Sequence, residues 1–270
     1  MQKNNYASSD FKRIAHRGAS AEAPENTLPA IARAVEKHQV DMVEIDLRLT
    51  KDRIPVVIHD ETLERTTNGE GPIHQYSLRE LKTKDAGFRF DPEGKGLFPY
   101  REKGVTIPTL EEVLGRFPET SFCLEVKEKD PACVREILTV IERIPRKGPL
   151  IIGSFHASIA RELRQLSPAS IETFFSRDEV LRTYLAFRLG FKKFSPPARY
   201  ASLPRKELCL KLDDEKWISF LHRAGVSVFY WTVDAASEME ILIERGADGI
   251  VTNYPNRLNE ILVRLKRPIK

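Results

Sequence analysis

The sequence predicts a single (β/α)8 TIM barrel with a small inserted lobe, and three observations predict it. Short β-rich runs alternate with helical patterns along nearly all of its 270 residues. Parallel strands joined by right-handed crossovers produce that order. About eight such units fit this length, which suits one barrel domain. One stretch, residues 60–108, breaks the rhythm, with six glycines (69, 71, 87, 94, 96 and 104) and little apolar periodicity. It is too long for an ordinary βα loop, so it reads as an insertion on the active face, following the strand that ends at His59.

The strand candidates, in order, are 13–16, 42–49, 55–59, 122–127, 150–155, 171–175, 192–195, 226–233 and 248–252. That is nine, one more than the barrel holds, and 192–195 is the weakest. Helical patterns occupy 26–38, 131–144, 157–166, 213–224 and 236–245, with a short helix at 77–84 inside the lobe. Asn26 stands where it can cap the first helix, with Pro29 in the first turn. The alternative is a doubly wound open sheet. It is weakened because the charged motifs come from strands spread along the chain, and because no GxGxxG or GxxxxGK[ST] phosphate loop is present.

Lys and Arg number 43, Asp and Glu 39, and the formal net charge is +4. Hydrophobic residues are 41% of the chain, which excludes disordered and low-complexity classes. A chain of this size buries roughly three quarters of its unfolded surface, so it folds without a disulfide or metal staple. The three cysteines, Cys123, Cys133 and Cys209, form no CxxC. They fit a reducing compartment better than a disulfide framework. The N-terminal MQKNNYASSDFKR carries no apolar signal segment, so the expected location is cytoplasmic. No apolar run approaches the ~18 residues of a membrane span.

The chemistry concentrates in four short blocks. In VEIDLRL, Glu44 and Asp46 share one face of a strand while Ile45 and Leu47 take the other. Two inward carboxylates in a barrel need a compensating partner. LEVK repeats the device with Glu125 and Lys127. Three carboxylates form an oxygen-only site for one hard divalent cation, Mg2+ or Ca2+. IAHRG ends a strand with His16 and Arg17, and VVIHD ends another with His59 and Asp60. Two imidazoles at strand ends on the active rim suit general acid and base work. Arg17 offers a planar fork for phosphate. His38 and His222 read as surface residues, His156 as a loop cap, and His74 has no assigned role.

The blocks HRGASAEAPENT, EIDLRLTKDRIPVVIHDETLERTTNG, LEVK, SF, YWTVD and GADGIVTNYP together resemble the glycerophosphodiester phosphodiesterase family, over about residues 14–255. The resemblance implies a TIM barrel with a lobe after the second histidine's strand. It implies metal-dependent hydrolysis of small glycerophosphodiesters to glycerol 3-phosphate and an alcohol. His16 and His59 become the acid/base pair, and Glu44, Asp46 and Glu125 the metal carboxylates. Arg17 and Lys127 face the phosphate, and Trp231 walls the substrate pocket. Glu25 and Asn26 match the family block but read chiefly as helix-start residues. Asp234 stands where the family usually has Asn, a departure expected to leave the chemistry untouched. The leaving alcohol, the identity of the attacking oxygen (water or a glycerol hydroxyl), the order of the two histidines and the oligomeric state stay open.

A second reading keeps the chemistry and changes the substrate to a lysophospholipid. Residues 180–206 hold seven basic side chains, no acidic one and several interleaved aromatics. Such a segment could rest weakly on an anionic membrane, although an ordinary barrel helix explains it too. A third reading, a non-catalytic binding module, would be expected to have lost one of His16, Glu44, Asp46, His59 or Glu125. All five are present. Nucleic-acid binding has only a pI of 8.9 in its favour and no recognition motif.

Overall fold

A computed structural model describes residues 11–207 and 210–266. The first ten residues, Cys209 and the last four residues of the basic C-terminal tail lie outside it. The strands are β1 (Lys12–His16), β2 (Met42–Leu49), β3 (Pro55–Val57), β4 (Phe122–Val126), β5 (Leu150–Gly153) and β6 (Ile171–Thr173). They continue with β7 (Tyr200–Pro204), β8 (Lys206–Glu207), β9 (Leu210–Lys211), β10 (Ser227–Trp231) and β11 (Gly249–Thr252). Eight of these run parallel in the order β6-β5-β4-β2-β1-β11-β10-β7. A lone bridge between Phe174 and Tyr200 joins the two ends, and the Phe175 N–H donates to the Tyr200 carbonyl at 3.0 Å. The ring is therefore a nearly closed eight-stranded barrel, as expected.

Each barrel strand is followed by a helix on the outside. These are α1 (Leu28–Ala32, continuing as a π-helical turn over Arg33–Lys37), α3 (Leu110–Arg116), α4 (Cys133–Arg143) and α5 (Ala157–Leu166). The other four are α6 (Arg177–Arg188), α7 (Glu215–Arg223), α8 (Ala236–Glu244) and α9 (Pro255–Arg264), while α2 (Leu78–Leu81) belongs to the lobe. The two-residue strand period sorts the side chains. Val43, Ile45 and Leu47 face outward and pack with Val113, Leu114 and Ile137 of the helices. The inward face is apolar at one end of the barrel, where Ile14, Met42, Cys123, Ile151, Phe174, Phe229 and Val251 form a plug. Two residues further along β1, β2 and β4 the same face turns polar, with His16, Glu44 and Glu125.

Several expectations are corrected. The candidate at 55–59 is not a barrel strand: β3 is antiparallel to the end of β2, with Leu47 opposite Val57 and Leu49 opposite Pro55. The candidate at 192–195 is not a strand either. The barrel strand there is β7, whose residues YASLP carry too few apolar side chains to stand out. Its Pro204 sits at the strand end, where a missing N–H costs little. The first helix is capped by Thr27, whose hydroxyl accepts from the Ala30 N–H at 3.5 Å, and Asn26 is not its cap. His38 is buried and hydrogen-bonded to Glu22, and His222 is half-buried against Asp248, so neither is a surface residue.

Residues 58–107 build the lobe around a small core of Ile58, Leu63, Ile73, Leu81, Ala86, Val105 and Ile107, which packs with Val56 of β3. Its short helix α2 begins at a capping box of Ser77 and Glu80. The basic aromatic stretch divides. Tyr184 and Phe187 pack on Trp217, and Phe187 and Phe194 on Phe220. Leu185, Leu189 and Phe191 are left exposed. Among the described residues no helix is long and apolar enough to cross a membrane.

Candidate active site

Glu44, Asp46 and Glu125 meet because β2 and β4 are neighbours in register, with Asp46 opposite Glu125. One oxygen from each lies within 4.8 Å of the others. Asp46 is the hub. Its Oδ2 is 3.0 Å from Arg17 Nε and accepts from Asn26 Nδ2 at 2.8 Å, while its Oδ1 is 3.2 Å from Lys127 Nζ. Lys127 also reaches Glu125 Oε1 at 2.5 Å. Arg17 pairs with Glu25 at 2.7 Å as well.

The tight turn after β1 makes this possible. Arg17 takes a left-handed φ of 57°, and its N–H donates to both the carbonyl and Oε2 of Glu44. Gly18, at φ 84°, lies so close to Ala30 that a Cβ would sit 2.6–2.8 Å from that residue. Only glycine combines that conformation with that approach.

The electrostatics follow from burial. Glu44 is pushed well above the usual carboxylate range by burial, then by Asp46 and Glu125. Burial pushes Glu125 up to about 7; Lys127 opposes this and Asp46 adds to it. Burial pulls Asp46 the same way, but Arg17 and Lys127 hold it below its ordinary value. Three carboxylates crowd one pocket, and Lys127 and Arg17, the latter shared with Glu25, compensate them only in part. A hard divalent cation would relieve that crowding, and the all-oxygen donor set suits it. The residues present therefore fit such an ion.

The two histidines arrive by different routes. His16 ends β1, and its Nδ1 lies 2.7 Å from Asn253 Oδ1 while its Nε2 faces Glu44 at 4.0 Å. Burial, then Arg17, lowers its pKa to about 4. His59 is not at the end of a barrel strand. Beyond β3 the returning chain donates the Ile58 N–H to the Asp46 carbonyl, which brings His59 over the carboxylates. Its Nδ1 is 2.6 Å from Asp60, and Arg65 ties Asp60 to Glu25. Burial lowers the His59 pKa while Asp46 and Asp60 oppose it.

One cavity of about 230 Å³ collects His16, Arg17, Glu44, His59, Glu125, Lys127 and Trp231. Asp46 lies beneath it, 1% exposed. Its far wall is Phe155, Phe174 and Trp231, with ring centroids 5.3–5.8 Å apart along Phe174–Phe155–Trp231. Gly153 leaves room for the Phe174 ring.

The sequence reading misses several supporting residues. Asn26, only 2% exposed, clamps Asp46: its Nδ2 donates to Oδ2, and its Oδ1 accepts the Asp46 N–H at 3.2 Å. Glu25 and Arg65 lock the rim. The PENT and ETLERTTNG blocks contain these residues, but only the fold shows their partners. Asp234 is not remote from the chemistry, because Asn253, the partner of His16, is itself held by Asp234. His156 stands at the N-cap position of α5 and is exposed, but its side chain makes no capping hydrogen bond.

The sequence matches the Glycerophosphoryl diester phosphodiesterase family over residues 16–257. It is similar to a glycerophosphodiester phosphodiesterase of Caldanaerobacter subterraneus subsp. tengcongensis, 33% identical with 91% of this chain and 95% of the relative covered. It is also similar to a lysophospholipase D of Mus musculus, 27% identical with 92% and 81% covered. Among solved structures it is similar to an Oleispira antarctica phosphodiesterase in complex with the product sn-glycerol-3-phosphate. That match has a TM-score of 0.76 and 28% identity, and covers 93% of this chain and 96% of that one.

Proposed function

The chain belongs to the glycerophosphoryl diester phosphodiesterase family, and from that premise we propose that it hydrolyses glycerophosphodiesters to glycerol 3-phosphate and an alcohol by His16/His59 acid–base catalysis with one divalent cation. The observation that carries this reading is the convergence of three carboxylates, two cations and two histidines on one cavity. Glu44, Asp46 and Glu125 would hold Mg2+ or Ca2+. When bound, the ion supplies Lewis-acid polarisation of the phosphoryl oxygens. Its charge would also add to that of Arg17 and Lys127 in attracting an anionic diester.

Arg17 and Lys127 stabilise the charge that develops on the non-bridging oxygens. The partners of the two imidazoles divide the labour. His16 leans on a neutral amide and presents Nε2 to the pocket, which suits removal of a proton from the attacking oxygen. His59 is backed by the Asp60 carboxylate, which stabilises an imidazolium and suits protonation of the leaving alkoxide. Trp231, Phe155 and Phe174 exclude water from one side.

A second reading, lysophospholipase D activity, has its own support. A 270 Å³ cavity lined by Phe155, Val180, Pro204, Leu212 and Trp231, and by the Arg177–Glu207 ion pair, opens beside the catalytic one and shares Phe155, Ser202 and Trp231 with it. It could house part of an acyl chain. The exposed Leu185, Leu189 and Phe191 do not line it. They lie toward the C-terminal end of α6, which returns to the opposite barrel rim. Any contact of that patch with an anionic membrane would therefore be separate from acyl binding.

Product analysis tests both readings. Purified protein is offered glycerophosphocholine, glycerophosphoethanolamine and a lysophospholipid, with and without added Mg2+ or Ca2+. Release of glycerol 3-phosphate from the soluble diesters, abolished by chelation, is the expected result. Metal-independent turnover would overturn the metal assignment. A lysophospholipid preferred tenfold or more would move the substrate class to the second reading.

A further inference from the structure

We propose that Asp234 is a positioning residue that sets the tautomer of His16 through the side-chain amide of Asn253; the consequence for rate rests on the acid–base reading above. The contacts form one directed chain. Asp234 Oδ1 accepts the Asn253 backbone N–H at 2.9 Å and the Thr252 hydroxyl at 3.0 Å. Its Oδ2 accepts from Asn253 Nδ2 at 2.7 Å. Asn253 Oδ1 in turn lies 2.7 Å from His16 Nδ1, and Ser20 Oγ donates to it at 2.7 Å.

The order of donors is fixed by the first member. A carboxylate offers acceptors only, so the end of the Asn253 amide that faces Asp234 must be the NH2. The carbonyl end then faces His16 and can only accept. A neutral imidazole beside it must carry its proton on Nδ1, which leaves the Nε2 lone pair free on the side facing the pocket and Glu44. Ser20 imposes nothing, because a hydroxyl can donate or accept. The amide orientation thus follows from the chemistry of its partners.

An asparagine at position 234, which the family resemblance leads one to expect, would break this logic here. The Asn253 backbone N–H cannot turn over, so it and the Thr252 hydroxyl would claim the carbonyl oxygen of the substituted side chain. The NH2 of that side chain would then face Asn253. The Asn253 amide would have to flip, present its own NH2 to His16, and drive the imidazole proton to Nε2. The base would lose its lone pair on the working side. Exchanging the two residues, D234N with N253D, restores the order. The amide NH2 now at position 234 donates to one oxygen of the carboxylate now at position 253, and the other oxygen accepts from His16 Nδ1.

The test reads the tautomer directly. Two-bond 1H–15N spectra of imidazole-labelled, metal-free protein at about pH 8, with His16 assigned by H16Q, should show the Nδ1-protonated form in the wild type and the Nε2-protonated form in D234N. D234N/N253D should return the wild-type pattern. With Mg2+, kcat for glycerophosphocholine should fall about tenfold or more in D234N with KM within about threefold, and recover in the double exchange. An Nε2-protonated His16 in the wild type, or an unchanged tautomer in folded D234N, overturns the relay. A tautomer that inverts while kcat stays at wild-type level upholds the relay and removes His16 from the role of base.

Discussion

The catalytic cavity has two unlike walls. On the β1, β2 and β4 side nearly every inward group is charged, and each is tied to the next: Glu25 to Arg17, Arg17 to Asp46, Asp46 to Lys127, Lys127 to Glu125. On the β5, β6 and β10 side the lining is mainly Phe155, Phe174 and Trp231, in ring contact with one another and without a charged group. The first wall can bind an ion and an anionic phosphoryl group, and its geometry is set by a network with few free degrees of freedom. The second can accept many alcohols or an acyl segment, and it discriminates only by shape and apolar area. On the proposed function, reaction type would therefore reside on one wall and substrate choice on the other.

The largest effect should come from the hub of the charged wall. Asp46→Ala leaves Arg17 and Lys127 partly uncompensated in a buried site. It should cost about 3–5 kcal/mol of stability and all measurable turnover. Urea unfolding checks the first and product release the second, and calorimetry with Mg2+ should show that ion binding vanishes too. A loss under ~1 kcal/mol with intact ion affinity would mean that Asp46 is not the hub.

Next come the histidines. His16→Ala and His59→Ala should each lower kcat/KM by about 10²–10⁴ with little change in unfolding midpoint, because both sit at the rim above the plug. A diester with an activated leaving group should rescue His59→Ala and not His16→Ala. Equal rescue of both would reverse or dissolve the division of labour.

On the apolar wall the expectation changes in kind. Trp231→Ala should raise KM about tenfold, the ~1.4 kcal/mol of a partly lost apolar contact, and leave kcat within about threefold. A matching fall in kcat would show that this wall takes part in the chemistry. Val180→Ser and Leu212→Ser should flatten any rise of kcat/KM with lysolipid chain length. A soluble-diester enzyme would show no such rise.

The smallest effect concerns acid stability at the rim. Burial raises Asp60, but Arg65 and His59 outweigh it and bring its pKa down to about 2 from 3.8. A carboxylate lowered on folding contributes stability that is full above its unfolded value and is lost as pH falls through its folded value. Wild type should thus exceed Arg65→Met at neutral pH, by under ~1 kcal/mol for so exposed a pair. The gap should shrink between about pH 4 and pH 2. A gap that persists undiminished below about pH 2 would assign it to packing.

The two walls also differ in how plainly the sequence discloses them. Charged residues at alternate positions of an apolar strand are conspicuous, so Glu44, Asp46, Glu125 and Lys127 stand out from the pattern alone. Phe155 and Phe174 do not, because an aromatic at a strand end looks like any core residue. His59 is legible as a residue but not as a placement, since only the antiparallel pairing of β2 with β3 shows how it arrives. Asn26, Asn253 and Asp234 are illegible in role. Each is a short polar side chain in a loop, ordinarily read as a cap or turn residue, and each acquires its meaning from a partner across the rim. Strand β7 is hidden by its modest apolar content. The nine candidates exceed the barrel by one, and the structure reaches eight by removing two of them, 55–59 and 192–195, and adding β7.

The barrel's seam carries one more consequence. Between β6 and β7 the ring is held by a single bridge and by the Phe175–Tyr200 hydrogen bond, whereas β2 and β4 pair over five residues. Breathing of the fold should therefore begin there, and amide hydrogen exchange at Phe175 should outpace that at Leu124. The cavity lined by Val180, Ser202, Pro204 and Leu212 opens beside the later residues of β7, one of the two strands of this joint. A bulky alcohol or an acyl chain would gain room by parting the seam while the carboxylates, anchored on the other side of the ring, stay in register. On the proposed function, a broader substrate range would then leave the register of β2 and β4, and with it the alignment of the carboxylates, in place.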